Sequence, residues 1–340
     1  MLRYSDFIVL ALLFPALVYG GEAPDHSNIY RIQIDNDLFA RGGTSDQDYT
    51  GGISLSFIEN SNSKNLFSLK KLRHSVDELV LSKSLGSALT TSTAQMGAIF
   101  FTPKNIESTS IDRNDRPYAS LIFTSNGEML VEQDQATFSS LTIGVLGSSI
   151  AGDLQKTIHQ ITGSTSPLGY RNQISAGSEP TAKYTLASQR LLSSGSTGDS
   201  KVSYQANIGF LTEASASMSF RLGNLSTPWW SFNPELNDYI GNASPIFPIN
   251  SKSNEFYFFG GSRLKARLYN AMLQGQFRDS NYKMSSRQIE PLILHAWLGL
   301  TRNISKTSIS YTLNYQTKEV KLGKAARHQL WGGVQASFDF

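Results

Sequence analysis

No cysteine occurs in the 340 residues. That excludes a disulfide framework and thiolate metal sites, so an exported chain of this kind is held together without covalent cross-links. Long apolar runs are missing as well. The longest, residues 7 to 18, spans 12 positions, and a helix that crosses a membrane needs about 20. Charge of one sign is not in excess, because 30 Lys and Arg stand against 27 Asp and Glu for a net +3. No basic field therefore marks a nucleic-acid partner. Histidine is scarce, with five in the chain, so each can be weighed as a candidate base by its place in the topology.

What is present begins with residues 1–20, which read as a secretory signal peptide. Arg3 and the amino terminus supply positive charge, an apolar stretch follows, and small residues at Gly20 and Gly21 suit cleavage. The mature part, 21–340, reads as one domain. It carries 14 Tyr and 19 Phe, a composition that fits either a β-sandwich or an outer-membrane barrel. The strand pattern separates them. In 307–316 Thr307, Ile309, Tyr311, Leu313 and Tyr315 oppose Ser308, Ser310, Thr312, Asn314 and Gln316, and in 263–268 Arg263, Lys265 and Arg267 oppose Leu264, Ala266 and Leu268. Runs of about ten residues, apolar on one side and polar on the other, are what a transmembrane barrel strand needs. The ending LWGGVQASFDF puts Leu330, Val334, Ala336, Phe338 and Phe340 on one face, and a terminal Phe on such a strand resembles the assembly signal of outer-membrane barrels.

The expected fold is thus all-β, a 12-stranded antiparallel transmembrane β-barrel with a short helix in a long external loop. Strands are expected near 30–39, 49–58, 93–102, 117–126, 137–147, 181–191, 201–212, 215–223, 255–272, 288–300, 304–316 and 328–340. With a periplasmic N-terminus, the connections near 40–48, 103–116 and 148–180 face outside. A helical stretch at 67–84 and the Trp- and Pro-containing segment 229–253 are expected on the periplasmic side.

Chemistry concentrates in two places. Where the first two strands meet their loop stand Asp35, Asn36, Asp37, Asp46, Asp48, Tyr49 and Thr50, oxygen donors of the kind calcium takes, although Asp, Asn and Gly are also ordinary turn formers. The strand phase of Ile32 and Ile34 carries Asn36 to the outward face, and Thr50 needs a bulge at Gly51–Gly52 to join it. In the loop 148–180, GDLQKTIHQITG predicts a helix from an Asp153 cap to a Gly163 stop. Leu154, Ile158 and Ile161 form its apolar stripe, and Gln155 and His159 share a neighbouring face. Of the five histidines, His159 alone sits on an ordered external element. His26 precedes the first strand, His74 lies in the periplasmic helix, His295 is lumenal and His328 is at the outer rim.

IDNDLF, DQDYTGG, FFTP followed by NDRPYAS, and LQKTIHQITG, in this order and spacing, resemble the outer-membrane lipid A 3'-O-deacylase family over essentially the whole mature chain. The resemblance implies a 12-stranded barrel that hydrolyses the ester-linked acyl chain at the 3' position of lipid A with calcium. On it, Asn36, Thr50 and His159 correspond to catalytic positions and Asp37 and Thr50 to metal-holding ones. It further implies lipopolysaccharide as substrate and the outer membrane as site; a monomer is expected. The family's glutamate, six residues after its histidine, falls at Thr165, which leaves Glu179 and Asp153 as acidic groups to orient His159. Two other classes fit the barrel: a passive porin using Arg263, Lys265 and Arg267, and a serine-type outer-membrane phospholipase.

Overall fold

The computed structural model describes residues 29–41, 47–58, 69–81, 89–162, 165–247 and 254–339. The expected signal peptide, Asp46 and the terminal Phe340 lie outside them. Among the described residues twelve strands close into one antiparallel barrel. They are β1 (Ile29–Asn36), β2 (Asp48–Ile58), β3 (Leu89–Thr102), β4 (Ala119–Glu132), β5 (Gln135–Leu146), β6 (Glu179–Gly195), β7 (Gly198–Gly209), β8 (Leu211–Asn224), β9 (Asn254–Asn270), β10 (Leu292–Ile304), β11 (Thr307–Gln316) and β12 (Gln329–Asp339). Each pairs with its chain neighbours. The ring closes where Ile29 to Asn36 of β1 run against Asp339 to Gly332 of β12. Closure leaves no sheet edge for lipid to face, and no described helix is long and apolar enough to span.

Alternate residues on a strand point to opposite sides, and here the two sides meet opposite media. On β9, Leu264 and Leu268 are exposed on the outer wall while Arg263, Lys265 and Arg267 are buried inside. Met218, Phe220, Leu222, Leu298 and Leu313 extend the outer apolar belt. All twelve strands expected from alternation are present, with shifted ends. The first ends early. It stops at Asn36, not near residue 39, because the Asn36 side chain accepts from Leu38 N at 2.7 Å and Ala40 N donates to Asp37 O. That local pairing diverts the chain into a single helical turn, α1 (Leu38–Arg41).

The lumen is filled. The segment after β8, expected outside the barrel on the periplasmic side, folds up into it. Its backbone and side chains satisfy the polar groups that the strands point inward. Lys201 Nζ reaches Asn233 Oδ1 at 2.6 Å and Glu235 at 2.7 Å. Lys183 Nζ donates to Asn242 Oδ1, Arg263 pairs with Asp238 at 2.9 Å, and Ser125 and Thr142 hydroxyls donate to Gly241 O. Within this plug Tyr239 and Ile240 pack with Tyr49, Phe101 and Trp331 into an aromatic core. Lys183, Lys201 and Arg263, lumenal cations that would suit a channel, therefore serve as partners of the plug, while Arg267 pairs with Glu213 and Glu319, and His295, lumenal as expected, bonds Asn314.

The two longer described helices lie outside the ring. The predicted 67–84 helix is α2 (Lys70–Leu81). It packs against the outer wall of β4 and β5 rather than hanging below the barrel. The loop helix is α3 (Ser149–Thr162), which lies on the outer wall where Ala151 meets Ala98 and Phe100, beside Ile122. It begins a turn earlier than Asp153, which is an interior position, and Asp153 O accepts from the Thr157 hydroxyl. Its buried side is Ala151 and Gln155, while Ile150 and Leu154 are exposed. Leu154 of the expected apolar stripe thus turns away from the wall, which there accepts a small and a polar residue; the side chains of Ile158 and Ile161 lie outside the described residues.

Candidate functional site

The first hairpin builds the site from strand phase and one bulge. Tyr30, Ile32, Ile34 and Asn36 follow the outward face of β1. Inward, Asp35 accepts from the Tyr49 hydroxyl at 3.2 Å. On β2 the ladder to β3 slips between Tyr49, opposite Phe101, and Gly51, opposite Phe100. Thr50 is the extra residue of this bulge. Tyr49 stays in the lumenal core while Thr50 turns outward, where its hydroxyl lies 2.6 Å from that of Thr102. Thr102 shares the outward phase of Ala98 and Phe100. The expected turn of Thr50 is present, one residue before the expected glycine pair.

Asp37 follows directly. Its backbone N donates to Thr50 O at 3.3 Å, and its Oδ2 accepts from Gln47 N at 3.1 Å. The carboxylate is buried. Asn36 sits opposite Gly51, and a Cβ built on Gly51 would lie 2.5 Å from Asp35 O and 3.4 Å from Asn36 Nδ2. Glycine is what lets the two strands close around these groups. Asn36, Asp37, Thr50 and Thr102 thus gather at the outer end of β1–β3, on the face that meets lipid. Asp35, Asp48 and Tyr49, counted with them in the sequence, point elsewhere. No sequence motif singles out Thr102, although its phase relative to Phe100 is readable from alternation.

The donors are all oxygen: one carboxylate, one amide and two hydroxyls. Among the described residues no three His, Cys, Asp or Glu side chains cluster as a metal site. A cation here would depend on neutral oxygens and water for the rest of its shell, which suits hard calcium and not zinc. The residues fit that group.

His159 lies on α3, four and eight residues after Gln155 and Ala151, in the helical row that these two begin. Its side chain lies outside the described residues. Tyr170, in a 3-10 turn over Tyr170–Asn172, donates its hydroxyl to Gln155 Oε1. The Tyr170 ring also packs, tilted, against Tyr118 with centroids 4.9 Å apart and lies 3.0 Å from where a Gly152 Cβ would stand. These contacts set how α3 rests on the wall. Of the two acidic candidates to orient His159, Glu179 is committed elsewhere. It accepts from Phe277 N and Arg278 N and from the Ser175 hydroxyl. Thr165 is exposed.

A family model described as Outer membrane protein LpxR matches residues 7–340. The chain belongs to the LpxR family. It is an outer-membrane barrel of the family that its motifs resemble. LpxR from Salmonella typhimurium superposes with a TM-score of 0.67 at 16% identity, covering 92% of this chain and 100% of that one. The β-domain of the Bordetella autotransporter BrkA gives 0.45 at 6% identity, with 93% and 100% covered. No curated protein matches by sequence.

In this LpxR-family chain the NDRPYAS motif braces the site. Asp115 accepts from Lys104 N at 2.9 Å and from Arg327 at 2.9 Å. Arg327 also holds Asp48 at 2.7 Å, just before the Thr50 bulge, where Asp48 has a positive φ of 64°. Arg116 lies 4.5 Å over the Phe101 ring and 3.5 Å from Glu319. Burial by itself would raise the Glu319 carboxyl. Arg267 and then Arg116 overcome that, with hydrogen bonds from Tyr239 and Gln329, and hold it at about 2. The external connections 103–118 and 317–328 are thereby tied to the first hairpin by buried charge.

Proposed function

We propose that this chain is an outer-membrane lipid A deacylase that hydrolyses the ester at the 3' position. The observation that carries this reading is the outward turn of Thr50 beside Asn36 and Asp37, on the lipid-facing wall that also seats α3. An ester embedded in the membrane reaches such a site laterally, without entering the lumen.

In this mechanism His159, neutral, takes a proton from water as the oxygen attacks the ester carbonyl. The tetrahedral oxyanion collapses, the carbon–oxygen bond to the sugar breaks, and the imidazolium returns its proton to the departing 3'-alkoxide. The products are a free fatty acid and a 3'-hydroxyl. Asn36 offers an amide donor to the oxyanion, and Asp37, with Thr50, would hold calcium. Bound calcium supplies Lewis-acid stabilisation of developing negative charge. α3 shields the reacting atoms from bulk water. Gln155, fixed by Tyr170, keeps the helix in register.

Mass spectrometry of lipid A from cells with and without the chain tests the reading. Loss of the 3' acyl group is expected with the wild type and not with Asp37→Ala, whose barrel should keep its heat-modifiable gel mobility. Chelation should silence the wild type in the same way. Lipid A unchanged by the wild-type chain, or full activity in excess chelator, would overturn the corresponding part. The porin reading is disfavoured because the plug occupies the lumen and pairs with Lys183, Lys201 and Arg263. As for a serine esterase, His74 and His295 bond Glu128 and Asn314, not a serine.

A further inference from the structure

A helix packed on a protein in water buries its apolar side and shows its charges to solvent. α2 does the reverse. Its buried residues are Arg73, at 0% exposure, and Asp77. Arg73 pairs with Asp77 and with Glu128 of β4, and donates to Asn126 Oδ1 at 2.7 Å and Ser139 Oγ at 2.8 Å. Asp77 accepts from the Tyr184 hydroxyl at 2.7 Å, and His74 meets Glu128 at 3.2 Å. Strand phase places all four wall partners on the outside of the barrel. The opposite phase carries Ser125, Thr142 and Lys183, which bond the plug. The polar cluster is therefore sealed between α2 and the outer wall. Away from the wall, Leu72, Leu79 (84% exposed) and Val80 are exposed, with half-buried Val76, along one flank, and Lys71, Ser75 and Glu78 along the other.

The depth of the cluster says what covers that apolar flank. On β8, β9 and β10 exposed Leu222, Phe256 and Ile304 carry the outer apolar belt to within two residues of the strand ends. On β4 and β5 Glu128 and Ser139 interrupt the belt four residues from the ends. The helix thus lies within the height of the lipid belt and continues it laterally. We propose that α2 is embedded in the periplasmic leaflet of the outer membrane, with its Leu72–Val76–Leu79–Val80 flank against phospholipid acyl chains and its Arg73–Glu128–Asp77 cluster as anchor. Lys71, Ser75 and Glu78 then face the headgroup region, as on an interfacial helix. Burying the charges in mutual contact avoids exposing Glu128 to hydrocarbon.

The absence of native cysteine makes single-site labelling of the full chain direct. Leu79→Cys, Glu78→Cys and, as a belt reference, Leu222→Cys are spin-labelled and refolded into phospholipid vesicles. Collision with oxygen is then compared with collision with a water-soluble nickel chelate. The label at 79 should match the one at 222, favouring oxygen, while the label at 78 is reached by nickel. A label at 79 as open to nickel as that at 78 would overturn the membrane placement. In the second measurement Arg73→Met is added to Leu79→Cys, leaving Glu128 and Asp77 without their cation. The label should gain mobility while the barrel keeps its heat-modifiable gel shift. Unchanged mobility would overturn the cluster as anchor. Neither readout involves hydrolysis, so failure here is distinct from failure of the deacylase reading.

Discussion

Gly51→Ala is a sharp test of the site geometry, because one methyl group separates the bulge from the strand that it faces. The added Cβ would stand 2.5 Å from Asp35 O. Ordinary contact begins near 3.4 Å, so β1 and β2 must part by about 0.9 Å at the pair Asn36–Gly51. Overpacking of this kind costs about 1–3 kcal/mol, which a closed 12-stranded ladder tolerates. Asn36 belongs to the parted pair and Thr50 adjoins it, and a misplacement of about 1 Å at a reacting centre costs on the order of 10²-fold in rate. The expected outcome is a folded, heat-modifiable barrel whose release of 3'-acyl chains from lipid A vesicles falls by about that factor. Gly195→Ala is the matched control, since its nearest neighbour would be Gly198 O at 3.7 Å, and it should behave as wild type. Wild-type hydrolysis by Gly51→Ala would show that the close approach of these strands does not set the site. Equal losses in both variants would trace the effect to the barrel as a whole.

Other expectations address the base, the helix and the loop lock. His159→Ala should lower turnover at least about 10²-fold, the lower end for a general base, and His159→Asn should do the same because an amide cannot accept the proton. The wild-type rate should rise with pH between about 5 and 8 as the imidazole loses its proton; a rate independent of pH over that range would remove histidine from the step. Tyr170→Phe removes a hydrogen bond worth about 0.5–1.5 kcal/mol. It should lower kcat by about threefold to tenfold, with KM little changed and a spin label on α3 more mobile; unchanged label motion would end its positioning role. Glu319 is held at about 2, below its ordinary 4.5. The proton therefore binds the unfolded state more tightly, and the stabilisation is complete above about pH 4.5 and lost as pH falls through about 2. Pepsin should cut within 317–328 only as pH nears 2 in the wild type, but already at pH 4 in Glu319→Gln.

The number of strands, their outward and inward faces and the outward place of Asn36 were all legible, because a period of two is a property of neighbouring residues. The need to turn Thr50 was legible for the same reason, since its parity conflicts with that of Ile53. Local pattern gave the existence of α2 and α3 as well, though not the start of α3, where Ser149 rather than Asp153 opens the helix.

Periodicity says which residues share a face, but not which medium or partner that face will meet. Leu154 reads as a packing residue, yet the wall at Ala98 and Phe100 seats Ala151 and Gln155. Local pattern offers Arg73 and Asp77 of α2 no partner beyond each other, yet Glu128, Ser139 and Tyr184, from 51 to 111 residues away, give them a buried polar seat. The lumenal charges of β9 read as a channel lining until Asp238 and Asn242 rise between them. Those partners come from distant parts of the chain, brought close only when twelve strands close the ring, so only the tertiary structure decided which polar faces would be dry, which apolar faces would meet lipid, and that the lumen would be filled.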